Sequence, residues 1–410
     1  MKKKRIVQYI FHYGDQHANK GIKTICDGGS NIHVHLIKKL EEKFKIAVST
    51  YKDNYLFANF FTHSKNVTIK EFFTFSGLFK RNLLWYELWW RCLFPGLIFL
   101  LKRVDGDYLI TKTEFLPDTI TALFIKIRNP QIIWVASYFL DPPKPWDKNS
   151  PYQGKRWFIG FFYWLLQIPS YLIIKKMADF VLVTSEPDVK KFITKKRDES
   201  KIIVVQGGVD IKPSKEYLNS GKVIPLEKRK YAACFVGRFH PQKGVLELVD
   251  IWKLVCAGKP GFKLAMIGIG SLEKEVQEKI EKYRLQDNIE LLGFKDGEEK
   301  YEIFKQSKIV VHPATYDSGG MAACEAMAWG LPGVSFDLEA LKTYYPKGML
   351  KTPCYDLEKF AESIISLLED KELYERTAKE AIAWAREWDW DKRVELFLNK
   401  AKIKLFNNAT

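Results

Sequence analysis

The chain is expected to fold as an α/β protein of two doubly wound domains, each a parallel sheet with helices on both faces. Three observations carry this expectation. The 410 residues exceed what a single hydrophobic core organises. Strand-like apolar runs alternate with helical patterns, and the alternation restarts after a polar stretch in the middle of the chain. Hydrophobic residues make up 47% and charged residues 28%, with no low-complexity tract, so each half can bury a core of its own.

Taken in order, the strand-like runs of the first half are residues 5–11, 46–49, 108–111, 132–137, 180–184 and 202–205. The opening Met1-Lys-Lys-Lys-Arg5 leads into a short apolar run that His12 and Asp15 interrupt, which reads as a first strand and not a secretory signal. Two stretches approach membrane character. Residues 83–101 carry only Glu87 and Arg91 as charges, and residues 157–174 carry none. Pro95 with Gly96 and Pro169 are expected to interrupt them. Trp85, Trp89, Trp90, Trp157 and Trp164, flanked by Lys102, Arg103, Lys155, Arg156, Lys175 and Lys176, suit helices lying in a membrane interface; buried core helices are the alternative. Residues 207–229, with Gly207, Gly208, Pro213, Gly221 and Pro225, have linker composition. The first domain is accordingly placed at 1–214 and the second at 215–390, with 391–410 packing back onto the first. The second half restarts with runs at 231–236, 263–267, 289–292, 309–312 and 333–336.

Charge is divided unevenly. Residues 1–210 hold 33 Lys and Arg against 19 Asp and Glu, a balance of +14, whereas residues 211–410 hold 32 against 30, a balance of +2. A field on one half suits an anionic partner, either a nucleic acid or a negatively charged membrane face. The six cysteines are scattered without a CxxC pair, which fits a reducing, cytoplasmic setting.

In open parallel sheets the ligand crevice lies beyond the carboxyl ends of the strands, and the motifs of the second half fall there. Gly237-Arg238 to Lys243-Gly244 follows a strand and precedes a helix, so Arg238 and Lys243 can converge on a diphosphate without a metal. Gly268-Ile-Gly270 follows the next strand and lets backbone approach a ligand. In the third motif Asp317 precedes Gly319-Gly320-Met321, and Glu325 lies eight positions after Asp317 on a helical run ending at Gly330-Leu-Pro332. The paired glycines expose N–H groups at a helix start, and a carboxylate suits the vicinal hydroxyls of a ribose or hexose. The plainer alternatives are a turn-capping Asp317, a structural Glu325 and a surface Lys243. In the first half, Gly28 and Gly29 open a helix. His33 and His35 are two positions apart and share no helix face, so a metal pair is not expected and His33 reads as packed. Asp105 with Asp107 and Asp389 with Asp391 belong to no nucleotide loop and are read as chance.

These residues resemble the retaining glycosyltransferases of the GT-B fold, in particular the fourth glycosyltransferase family, the group 1 type. That pattern is met by Gly237-Arg238 with Lys243-Gly244, Gly268-Ile-Gly270, Leu292-Gly293-Phe294, and Asp317 followed by Glu325-Ala-Met-Ala-Trp-Gly330-Leu-Pro332. The resemblance implies two Rossmann-like domains facing a central cleft. It further implies that Arg238 and Lys243 bind the donor diphosphate, Glu325 the ribose, and the backbone near Phe294 and Lys295 the base. Asp317 with Gly319, Gly320 and Met321 would meet the transferred sugar, Gly237 and Gly268 would line the donor, and Gly28 and Gly29 would approach the donor phosphate or the acceptor. Asp317, Arg238 and Lys243 are the expected catalytic groups.

Two departures stand out. The family's first acid is usually Glu followed by Gly-Phe-Gly, and here it is Asp317 followed by Ser318-Gly319-Gly320. The family's histidine after a central strand of the first domain is missing, and Tyr138 or Asp141 stands in its place, on the acceptor side. The expectation is a metal-independent hexosyltransferase of glycan biosynthesis, using a nucleotide diphosphate sugar and no cofactor. Its acceptor would be lipid-linked or a glycan, and it would bind the anionic inner membrane face peripherally. A sugar epimerase or phosphorylase of the same fold is the runner-up. A basic nucleic-acid-binding protein is the reading from another class, without a recognisable module to support it.

Overall fold

The computed structural model describes residues 6–12, 28–52, 61, 63–72 and 84–401, the side chains of 84–89 and 401 excepted. Expectations placed on Arg5, Leu83, Trp85, Trp89 and residues beyond 401 fall outside what is described. The chain divides into two compact units. The described residues up to Pro142, Phe161–Gly207 and those from Val394 form the first, while Pro143–Gly160 and Gly208–Arg393 form the second.

The first unit holds a seven-stranded sheet of β1 (Ile6–Phe11), β2 (Lys45–Tyr51), β3 (Val67–Phe72), β4 (Tyr108–Thr111), β5 (Ile133–Tyr138), β6 (Phe180–Val183) and β7 (Ile202–Val204). Their order is β3-β2-β1-β4-β5-β6-β7, and every neighbouring pair is parallel. Central strands such as β4 and β6 are buried along their whole length, as continuous apolar runs covered on both faces must be. The second unit holds β8 (Tyr231–Val236), β9 (Leu264–Ile267), β10 (Ile289–Leu291), β11 (Ser307–His312), β12 (Gly333–Phe336) and β13 (Met349–Thr352), all parallel, in the order β10-β9-β8-β11-β12-β13. Its core lies in two layers, one around Trp252, Phe336 and Phe360 and the other around Trp329, Tyr344 and Trp388. In both units the order reverses beside the first strand, β1 or β8, which puts the ligand crevice at the loops after these strands.

Several sequence expectations need correcting. β3 and β13 have no counterpart among the expected strands. Both are sheet edges, and an edge strand such as Val67-Thr-Ile-Lys-Glu-Phe72, half exposed, has no apolar run to announce it. The boundary expected near Lys215 lies after Gly207. Val209 N–H donates to the Trp388 carbonyl at 2.7 Å, and the Gly208 backbone packs against Trp390, so the chain has already entered the second unit there. The closing segment returns to the first unit from Val394, three residues later than expected. Residues 143–160, expected in the first domain, belong to the second. Arg156 pairs with Glu275, and the Tyr152 ring meets His240 edge-on at 6.2 Å.

Neither proline breaks its helix. Leu84–Leu101 contains Pro95, and Trp157–Met177 contains Pro169. Each removes one N–H donor, a loss that the remaining hydrogen bonds of an 18- or 21-residue helix carry. Residues 154–177 form the one helix among the described residues that is long and apolar enough to cross a membrane; an 18-residue stretch of it has a mean hydropathy of 1.5 and is 22% buried.

Candidate functional site

The site of the second unit is built by backbone before side chains. After β8 the chain runs through Gly237–Gly244, with a single 3-10 turn at Pro241–Lys243, into the helix Val245–Gly258. Gly244 is left-handed, with φ +62°, and a Cβ there would fall 1.9 Å from the Pro313 carbonyl oxygen. Only glycine lets this loop lie on the one after β11. Phe239 N–H donates to the Ile269 carbonyl at 2.9 Å, Thr315 N–H to the Gln242 carbonyl at 3.0 Å, and Gly268 N–H to the Gly293 carbonyl at 2.8 Å. The four sequence motifs are thereby stitched into one patch at the carboxyl end of the sheet.

Within it, Lys243 Nζ donates to Asp317 Oδ2 at 2.5 Å, and His312 Nε2 lies 3.3 Å from the same oxygen. Asp317 Oδ1 accepts from the Ser318 and Gly319 N–H groups at 3.0 and 3.2 Å. Burial alone would raise the Asp317 pKa, but Lys243 and His312 outweigh it and hold the carboxyl well below the usual range. Burial also pushes His312 down, favouring the neutral ring. Gly319 and Gly320 precede the helix Met321–Ala328, and a Cβ on either would strike the hydroxyl of Tyr344 or Tyr345. The two tyrosines form the floor under this helix start. Glu325, half-buried, takes a 2.7 Å ion pair from Lys300, which also reaches Asp296 at 3.0 Å. Burial disfavours the Lys300 charge, yet the two carboxylates prevail and raise its pKa. Arg238 is exposed at the rim. Phe294 and Lys295 follow Gly293 on the adjoining loop.

Gly237, Arg238, Lys243, Gly268, Phe294, Lys295, Asp317, Gly319 and Gly320 thus lie on one connected set of loops, and Met321 and Glu325 on the helix that follows it. Gly28, Gly29, Tyr138 and Asp141 belong to the first unit. Gly28 and Gly29 open the helix Gly28–Leu40. Tyr138 is buried and donates to Asp141 Oδ1 at 2.5 Å, while Lys191 holds Asp141 Oδ2 at 2.8 Å. His33 is fully buried among Tyr9, the Lys112 carbonyl and Ser137, the packed role expected for it. Sequence reasoning missed His312, Lys300 and the two tyrosines. His312 had a signal, as the polar last residue of a strand five positions before Asp317. Lys300 and the tyrosines reach the site only through tertiary packing.

The fold matches solved structures along nearly the whole chain. The Anabaena protein HepE, crystallised with UDP and glucose, superposes with a TM-score of 0.67 at 15% identity, covering 97% of this chain and 99% of that one. A sucrose-phosphate synthase from Thermosynechococcus elongatus gives a TM-score of 0.68 at 16% identity over 99% and 100%. Two parallel-sheet units with these partners define the fold: it is GT-B. Residues 219–384 match the family described as glycosyl transferases group 1.

Curated relatives agree. The poly(glycerol-phosphate) alpha-glucosyltransferase of Bacillus subtilis is 25% identical over 177 residues, 42% of this chain and 26% of that protein. The amylovoran biosynthesis glycosyltransferase AmsD of Erwinia amylovora is 29% identical over 170 residues, 40% and 45% of the two. An uncharacterized glycosyltransferase of Methanocaldococcus jannaschii is 27% identical over 314 residues, 74% and 76%. The aligned stretches span about a quarter to a half of the first two relatives.

Proposed function

We propose that the chain moves a hexose from a nucleoside diphosphate sugar to a glycan or lipid-linked acceptor, with retention at the anomeric carbon and without a metal. The observation that carries this reading is the convergence of Lys243, the helix start at Met321 and Glu325 inside the segment that matches the family. As the bond between the anomeric carbon and the diphosphate oxygen breaks, charge builds on the leaving diphosphate. Arg238, Lys243 and the N–H groups ahead of Met321 are fixed donors for that charge, the kind of preorganised electrostatic stabilisation that dominates such reactions. Glu325, oriented by its ion pair with Lys300, accepts hydrogen bonds from the ribose hydroxyls. The backbone at Phe294 and Lys295 flanks the base, and the loop of Asp317, Gly319 and Gly320 lies toward the sugar.

Retention is supported by the name of the Bacillus relative, since an alpha product from an alpha-linked nucleotide glucose keeps the configuration. UDP is the favoured nucleotide because it occupies the Anabaena structure. On the acceptor side we assign the first unit, with Asp141 the more exposed member of the Tyr138–Asp141 pair.

Membrane contact is proposed through the helix Trp157–Met177. Phe158, Ile159 and Leu172 are 68%, 63% and 55% exposed, and Lys155, Arg156, Lys175 and Lys176 stand at its ends. Each cation near an anionic surface contributes about 1 kcal/mol, and an immersed apolar face adds to it. The test of the activity is incubation with radiolabelled nucleotide sugars and a lipid extract. Label entering the lipid or a glycan supports the reading, whereas donor conversion in the absence of acceptor points to an epimerase or phosphorylase.

A further inference from the structure

The resemblance assigns Asp317 to the transferred sugar, yet its carboxylate has little left to offer a ligand. An ionised carboxylate has about four lone-pair directions. Oδ2 accepts from Lys243 Nζ at 2.5 Å, with the buried His312 Nε2 beside it at 3.3 Å without a hydrogen bond; Oδ1 accepts from the N–H groups of Ser318 and Gly319 at 3.0 and 3.2 Å. The side chain is 8% exposed, against 20% for Lys243. Its short stem is turned back onto its own loop. The ammonium has three donor directions and gives one to Asp317, leaving the others for phosphate oxygens.

We propose that Asp317 is a positioning residue, which acts on the donor through Lys243 and makes no contact with the sugar. It joins the loop after β11 to the loop after β8 and fixes the point where the lysine charge meets the diphosphate. His312 backs the carboxylate from the end of β11 and limits its rotation. The proposal rests on the nucleotide-sugar reading above.

The experiment is a double-mutant cycle on Asp317→Asn and Lys243→Met, with calorimetric binding of UDP, GDP and ADP to each of the four proteins. Asp317→Asn is expected to shift the affinity of the bound nucleotide about fivefold or more in the wild-type background, the scale of coupling within one hydrogen-bonded network, and to leave it unchanged in the Lys243→Met background. An affinity unaltered by Asp317→Asn in both backgrounds, or altered equally in both, overturns the proposal. Equal shifts are also what a merely loosened loop would give. Should Asp317→Asn fail to fold, His312→Gln takes its place, with a smaller shift expected and the same dependence on Lys243; a shift independent of Lys243 counts against it. A wild-type chain that binds none of the three nucleotides overturns the underlying reading and the proposal with it.

Discussion

Glu325 and Arg238, both proposed to bind the donor, sit in opposite situations, one half-buried and braced by Lys300, the other exposed at the rim. Replacing either by alanine removes charge-assisted hydrogen bonds worth about 1.5–3 kcal/mol, so transfer should fall about 10- to 150-fold while circular dichroism and melting stay near wild type. Near-normal transfer by both variants would contradict the site. A different residue carries a pH dependence of its own. Glu114, buried beyond β4 and accepting from the Phe139 N–H at 3.1 Å, has its carboxyl pushed up to about 7, chiefly by burial. Its folded value lies above its ordinary 4.5, so the native state binds the extra proton between those values and loses stability as pH rises from 4.5 to 7. His12, His240 and His312 are all held low, chiefly by burial, and act in the opposite direction, so the contribution is read by difference: in thermal melts from pH 4.5 to 8 the stability of wild type relative to Glu114→Gln should decline as pH rises to 7, and a difference that does not change with pH would assign the effect elsewhere. Residues that announce themselves in the sequence, such as Arg238, Lys243 and Glu325, do so because glycines and helix starts adjoin them in the chain. His312, Lys300 and Glu114 owe their settings to neighbours distant in sequence, which no local pattern encodes.

Loops that interlock through glycine make the strongest demands among the elements. At Gly244 a side chain must adopt left-handed backbone and displace the Pro313 carbonyl, whereas Gly221, equally left-handed at φ +69°, has open space around it. Gly244→Ala should therefore lower stability by more than the roughly 1–2 kcal/mol of a left-handed residue alone and abolish transfer, while Gly221→Ala should cost about that much and leave transfer intact. Denaturant melts of the two variants side by side check this; equal losses would mean that the loop contact carries no energy of its own. Buried strands such as β4, β6 and β9 were legible because both faces are covered and nearly every residue is apolar. β3 and β13 were not, since an edge strand answers to its single neighbour. The prolines at 95 and 169 misled for another reason: in a long helix the loss of one donor leaves most of the hydrogen bonds in place.

For the molecule as a whole, the excess charge of the first half and the exposed apolar face of Trp157–Met177 are tested together. Flotation on vesicles containing anionic lipid should carry the protein upward at low salt and release it as salt rises, because the Debye length shrinks from about 30 Å at 0.01 M to about 8 Å at 0.15 M. A variant with Phe158, Ile159 and Leu172 changed to serine should stay at the bottom of the gradient; flotation equal to wild type would remove this helix from the contact. Transfer is expected to continue in EDTA, since Arg238, Lys243 and the helix start already supply positive charge. A strict need for Mg²⁺ would contradict that donor site. The division of the chain was legible only in outline, because the transfer of residues 143–160 to the second unit depends on contacts such as Arg156 with Glu275. The path passes from one unit to the other after Pro142, Gly160, Gly207 and Arg393. A protease nicking the polar stretch near Gly221 would therefore not liberate two domains. Each fragment would keep a segment that belongs in the other's fold, and the nicked halves would co-elute in native gel filtration, separating only in denaturant.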